Sequence, residues 1–181
     1  MTSGLMLDEV RVPAENLLPG TEGLKSALMC LNEARFGIAW GAVGAAMACY
    51  EIALKCARSR IQFEVPIASF QLVQRKLVKM LTEITKAQLL CLQLDRLKDE
   101  GKARHTQISL AKMNNVSEAL EIARSARNIL GANGVALDYH VIRHMLNLEA
   151  VYTYEGTYDI HMLIVGRDIT GLDAFSAKGS N

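Results

Sequence analysis

"VQRKLVKMLTEITKAQLLCLQL", residues 73–94, is apolar or small at Val73, Leu77, Met80, Ile84, Ala87, Cys91 and Leu94. The steps alternate between four and three, which is the repeat of one helix face and not the two-residue alternation of a strand. A helix this long with one apolar face needs other elements to cover it. Its end is marked by the polar run Lys98-Asp-Glu-Gly-Lys102. The neighbouring group Met80, Leu81 and Ile84 reads as core packing.

Working outward, the three prolines, Pro13, Pro19 and Pro66, all lie at or before position 66, so long helices are permitted afterwards. Upstream, Gly23 to about Ser59 carries apolar or small residues at Leu24, Leu28, Leu31, Ile38, Gly41, Ala45, Ala48 and Ile52, a helical stripe. Gly37, Gly41 and Gly44 within it each cost roughly 1 kcal/mol relative to Ala in an exposed helix. Close approach by another helix or a ligand would offset that. Downstream, Thr106 to Leu130 shows one stripe through Met113, Val116, Leu120 and Ala123, and another through Ala119, Ile122, Ala126 and Ile129. Two stripes imply burial on two sides. Gly131-Ala-Asn-Gly134 suits a helix end, and shorter helices are expected over about 139–151 and 159–172. Leu5 to Val12 reads as a short strand without a partner. The expected fold is all-α: an up-and-down four-helix-type bundle with shorter C-terminal helices, preceded by a short extended segment. The domain reading is an extended segment over 1–20, the bundle over 21–175 and a frayed tail over 176–181.

The chain has 181 residues, 50% of them hydrophobic, enough for one ordinary core. Twenty basic against nineteen acidic residues give a net charge of +1, with no electrostatic case for nucleic acid or an anionic membrane surface. Cys30, Cys49, Cys56 and Cys91 fall in helical stretches without CxxC spacing and read as buried free thiols of a reducing compartment. No apolar run is expected to cross a bilayer, and no signal peptide is legible. A Rossmann nucleotide site is excluded by the absence of a Gly-rich strand-to-helix turn. His140 and His144 stand four apart, but HExxH is absent and no third ligand is evident, so no metal site is expected.

Five stretches in order resemble the C-terminal helical domain of the acyl-CoA dehydrogenases, most closely the glutaryl-CoA dehydrogenases. They are VRVPAENLLPG (10–20), CLNEARFGIAWGAVGAA (30–46), RIQFEVPIASFQLVQRKLVKMLTEI (60–84), ARSARNILGANG (123–134) and HVIRHMLNLEAVYTYEGTYDIHMLIVGR (140–167). The first resembles the family's passage out of its middle β-domain. The resemblance covers nearly the whole chain, and it implies that the family's N-terminal helices and β-domain lie outside this sequence.

The family's reaction removes a proton from the carbon beside a thioester carbonyl while a hydride leaves the next carbon for FAD, which requires one well-placed base. The resemblance puts that base at Glu155, between Tyr154 and Gly156. A carboxylate among apolar and aromatic groups has its charged form disfavoured, which strengthens it as a base once ionised. From the residues alone, an acid at a helix start, with Asp159 as another candidate cap, is the competing reading. Some relatives place the base just before an arginine of the first long helix. That position is Ala34 here, beside Glu33, which reads as a solvated helix residue.

The resemblance further implies CoA-ester contacts from Leu28, Met29, Cys30, Leu31, Asn32 and Arg35, with Gly156 allowing close approach beside the base. It implies cross-subunit FAD contacts from Arg60, Phe63 and Gln71 and from Asn128, Ile129, Leu130, Gly131 and Ala132, and a further flavin-contacting turn at Thr157 and Asp159. Two departures from the family pattern stand out: Glu64 replaces the usual glycine after Phe63, and Tyr158 stands where glutaryl-CoA dehydrogenases carry histidine. The implied partners are an acyl-CoA, an electron-transfer flavoprotein and further copies in a tetramer, and the implied location is the cytoplasm in a bacterium or the mitochondrial matrix in a eukaryote. A noncatalytic helical assembly module and an acyl-CoA oxidase remain as alternatives.

Overall fold

The computed structural model describes residues 3–21 and 23–174. The expected frayed tail and the boundary at 175 lie outside the described residues. Five long helices occur among the described residues: α1 (Gly23–Ser59), α2 (Gln71–Asp99), α3 (His105–Leu130), α4 (Val141–Thr153) and α5 (Tyr158–Thr170). The fold is all-α, as the periodicity implies. The segment before α1 is extended and exposed, with a single 3-10 turn at Ala14–Asn16. Residues 5–12 form no strand, because no other strand lies beside them to accept a ladder.

Helix α3 is the centre, touching each of the other four helices. Its two apolar stripes account for this: Val116, Ala119, Leu120, Ile122, Ala123, Ala126 and Ile129 are all buried. On α2 the buried residues are Leu77, Met80, Ile84, Ala87, Cys91 and Leu94, with Val73 packed at the margin of the core. Leu81 departs from the expectation and is half-exposed, on a different face from Met80 and Ile84.

Helix α1 shows a larger difference. Its buried face is Ala39, Ala42, Val43, Ala46, Cys49, Ala53 and Ala57, one position away from the expected stripe. Leu24 and Leu28 are exposed, while Ile38, Ala45 and Ile52 sit at the core's edge. Small side chains let α1 and α3 approach closely, and that packing outweighs the stripe of larger residues. Among the described residues nothing lies within 4 Å of the positions a side chain would fill at Gly37, Gly41 or Gly44, so no described helix offsets their cost. Helix α1 is long and apolar enough to cross a membrane by length and composition, which corrects the expectation that no run would be. Its alanine face lies in the core of the bundle.

A second core patch joins Ala39, Val43, Ala87, Cys91, Leu94, Ile108 and Ala111. Asn115 is buried there and donates to the Ala39 carbonyl at 3.3 Å and to Cys91 Sγ at 3.0 Å. Cys49 and Cys91 are buried free thiols, and burial pushes Cys49 up to about 12. Cys30 is exposed and Cys56 half-buried, against the expectation that all four would be hidden.

A two-residue antiparallel hairpin, β1 (Ile61–Gln62) with β2 (Val65–Pro66), links α1 to α2, with Ile61 opposite Pro66 and Gln62 opposite Val65. Its turn residues Phe63 and Glu64 have φ of 53° and 67°. Hairpin turns of this hand favour Asn or Gly, and the left-handed region costs other residues about 1 kcal/mol or more. Glu64→Gly is therefore expected to raise Tm by about 2–4 °C in thermal denaturation. An unchanged or lowered Tm would show that Glu64 is not strained.

Candidate active site

Helix α4 ends at Thr153, and the chain turns through Tyr154, Glu155, Gly156 and Thr157 into α5. Glu155 and Gly156 both have positive φ, 57° and 89°. Thr157 closes the turn: its Oγ1 accepts from the Ile160 N–H at 3.2 Å. The cap of α5 is thus Thr157, and Asp159 lies in the first turn.

Three cationic or basic side chains lie beneath this turn. Lys112, fully buried on α3, donates from Nζ to the Tyr154 carbonyl at 2.9 Å and to the Gly156 carbonyl at 2.7 Å. Arg35, buried on α1, donates from Nε to the Glu155 carbonyl at 2.9 Å. Three successive carbonyls are thereby held by two side chains, which fixes the peptide planes on both sides of Glu155. His161, fully buried one turn into α5, packs against Gly156, where an added Cβ would lie 3.1 Å from Nε2. Bulk at position 156 would meet that ring, so glycine suits both the φ and the space.

Burial pushes Lys112 down to about 8, helped by the nearby Arg35 charge and opposed by Glu155. Burial, then the charges of Lys112 and Arg35, push His161 down to about 4, so its imidazole is neutral at pH 7. Glu155 itself is half-buried, and its Oε2 is buried without a hydrogen-bond partner among the described residues. A carboxylate oxygen left without a donor is a costly arrangement for folding alone.

A cavity of about 740 Å³ adjoins this cluster, lined by Leu28, Asn32, Arg35, His105, Thr106, Ile164, Arg167 and Asp168. Met29 and Cys30 are exposed and, with Asn32, face an adjoining hollow, and Leu31 is half-buried. The Nε of Arg35 is committed to the Glu155 carbonyl. Glu33 faces solvent and pairs with Lys98 at 2.7 Å. The departure at Tyr158 has a structural use: its ring stacks on Tyr152 with centroids 5.2 Å apart.

The other expected contacts gather elsewhere. Arg60, just beyond α1, reaches the Leu130 carbonyl at 3.4 Å and, with Leu130 and Ala132, lines a cavity of about 700 Å³. Gly131 beside it has φ of 62°, Asn128 accepts from Lys76, and Ile129 is buried. Phe63 is exposed and packs edge-on against Phe70, and Gln71 opens α2. Arg35 and Arg60 are separated by about 37 Å along α1, at 1.5 Å per residue. Within one chain the Glu155 turn and the Arg60 cavity are two separate sites.

Lys112 and His161 escaped the sequence reading. The available signal was a lysine amid Ile108, Ala111 and Val116, on a helix whose stripes demand burial on two sides.

Residues 21–170 match the family model for the acyl-CoA dehydrogenase C-terminal domain, and the chain belongs to that family. Among individual proteins it is 35% identical to a glutaryl-CoA dehydrogenase of Desulfococcus multivorans, over 94% of this chain and 44% of the relative. It is 34% identical to a short-chain specific acyl-CoA dehydrogenase of Megasphaera elsdenii, over 91% of this chain and 43% of the relative. The structure superposes on a glutaryl-CoA dehydrogenase from Mycobacterium smegmatis in complex with FADH2 with TM-score 0.91 and 49% identity, covering 93% of this chain and 44% of that one. The chain thus spans under half the length of these relatives.

Proposed function

We propose that this chain is the base-bearing domain of a flavin-dependent acyl-CoA dehydrogenase acting on short acyl thioesters, with Glu155 removing the α-proton. The observation that carries the reading is the Glu155 turn. A glutamate stands at positive φ, its own and its flanking carbonyls are held by Arg35 and Lys112, and one carboxylate oxygen has no donor among the described residues. A side chain so held is ready to accept a proton at its free oxygen without first breaking a hydrogen bond.

The Arg60 cavity fits a phosphate-bearing cofactor. The guanidinium makes one long contact to a carbonyl, and a Cβ at Gly131, which has positive φ, would lie 3.6 Å from Arg60 Nη1. FAD, when bound, supplies the hydride acceptor. On this reading Arg60 holds pyrophosphate, with Phe63, Gln71 and 128–132 alongside. Thr157 and Asp159 lie beside the base and meet a different FAD. The distance between the two sites supports sharing of each flavin between subunits. Leu28 to Arg35 contact the CoA ester, and Arg35 doubles as a clamp on the base's own carbonyl.

Among the solved structures, 49% identity to the Mycobacterium smegmatis glutaryl-CoA dehydrogenase against 34% to a butyryl-CoA dehydrogenase from Megasphaera elsdenii favours glutaryl-CoA, with loss of carbon dioxide. The flavin is reoxidised by an electron-transfer flavoprotein. The test is anaerobic bleaching of the flavin in the intact protein. Glutaryl-CoA is expected to bleach it and release carbon dioxide, while butyryl-CoA tests the wider short-chain activity. Bleaching by butyryl-CoA alone would remove the glutaryl assignment, and no bleaching by either would remove the dehydrogenase reading.

A further inference from the structure

Of the three side chains beneath the Glu155 turn, His161 alone makes no hydrogen bond: both ring nitrogens are buried without a partner among the described residues. An imidazole left so costs folding free energy that an apolar side chain of similar bulk would not. Its placement is nonetheless specific. A Cβ added at Gly156 would lie 3.1 Å from Nε2, 3.3 Å from Cε1 and 3.4 Å from Arg35 Nη2. The Nε2 edge of the ring and the guanidinium thus both meet the backbone of the residue that follows the base. The carbonyls of Glu155 and Gly156 each favour a proton on that ring.

Every carbonyl oxygen has two lone pairs, and each of these two carries one side-chain donor: Arg35 Nε at Glu155 and Lys112 Nζ at Gly156. A further donor therefore has a place to bind. A neutral imidazole has one N–H to give, and its ring torsion is broad, so a modest rotation in the pocket completes a bond. The charge state matters as much as the donor. Lys112 on α3 and Arg35 on α1 already set two cations by this turn, and burial, with those cations, keeps His161 neutral. A third cation would favour the ionised carboxylate of Glu155 further and weaken it as a base. A neutral donor steadies the turn without that effect.

We propose that His161 is a positioning residue for the base: as its Nε2–H tautomer it donates to the Glu155–Gly156 carbonyl pair and holds the turn alongside Lys112 and Arg35. The inference rests on Glu155 as the base. It is tested in the intact protein with two kinds of substitution. His161→Gln keeps a donor, while His161→Met keeps buried bulk without one, and His161→Leu replaces it should the Met variant fail to fold. The readouts are steady-state kinetics with glutaryl-CoA and butyryl-CoA, and mass-spectrometric hydrogen exchange of the backbone amides over 154–157. His161→Met is expected to lower kcat by roughly 10-fold or more with KM within about 3-fold, and to speed exchange in the turn by a similar factor. His161→Gln recovers most of both. If His161→Met matches the unsubstituted protein in kcat and exchange, the ring only fills space and the inference is overturned. Equal losses in His161→Met and His161→Gln overturn it too, since the shape of the ring and not its proton would then matter. Exchange is read without turnover, so the two claims can fail separately. Faster exchange in His161→Met beside full turnover in Glu155→Gln removes the base and keeps the clamp; unchanged exchange beside an inactive Glu155→Gln removes the clamp and keeps the base.

Discussion

Glu155→Gln in the intact protein is expected to lower turnover by roughly 10²–10⁴-fold, the contribution of a positioned general base. Glutamine keeps the size of the side chain and the turn beneath it, since the clamps reach backbone carbonyls and not the carboxylate. Thermal stability should therefore change by no more than a few degrees. Flavin content and acyl-CoA binding should also persist, so the loss falls on kcat and not KM. Turnover within a few-fold of the unsubstituted protein would remove Glu155 from the base role.

The second large effect is expected at Lys112. Replacing it by Met preserves bulk but deprives the part-buried Tyr154 and Gly156 carbonyls of the Lys112 donor. Each orphaned acceptor costs about 1–3 kcal/mol, partly offset by no longer burying an ammonium. A net loss of about 2 kcal/mol corresponds to a Tm about 4–8 °C lower for a chain of this size. With the turn slackened, kcat in the intact protein should fall by roughly 10–100-fold while KM moves less, as expected of a residue that positions the base.

The same side chain makes stability depend on pH. Lys112 holds its proton up to about pH 8 when folded, against 10.5 when unfolded. Between those values the unfolded chain binds the extra proton, so its contribution to stability rises with pH. Below pH 8 the cost of burying the ammonium is fully present. In Lys112→Met this rise should vanish from the pH dependence of unfolding. A Tm and kcat matching the unsubstituted protein would show that the clamp does nothing.

The sequence made α2 and α3 legible because their residues are large and periodic. Leu77, Met80 and Ile84 declare a face, and the double stripe of α3 declares a central helix. Helix α1 was misread by one position because its packing rests on alanines, which differ little from glycine or serine in hydropathy yet decide how closely helices meet. The hairpin at 61–66 was hidden by its length, too short for any alternation to emerge. At the proposed site, Glu155 was singled out by the family resemblance and not by its neighbours alone. The clamps were not, because Lys112 lies 43 positions upstream and Arg35 lies 120, and only the packing of α1, α3 and the α4–α5 turn brings them together.

The left-handed backbone at Glu155 also bears on descent. A glutamate codon becomes a glycine codon by one base change, and glycine at this φ would relieve strain of about 1–3 kcal/mol. Selection for folding alone therefore gives no reason to keep the acid at this position. On the proposed reading, use of the carboxylate is what holds glutamate at position 155 against the preference of its own backbone.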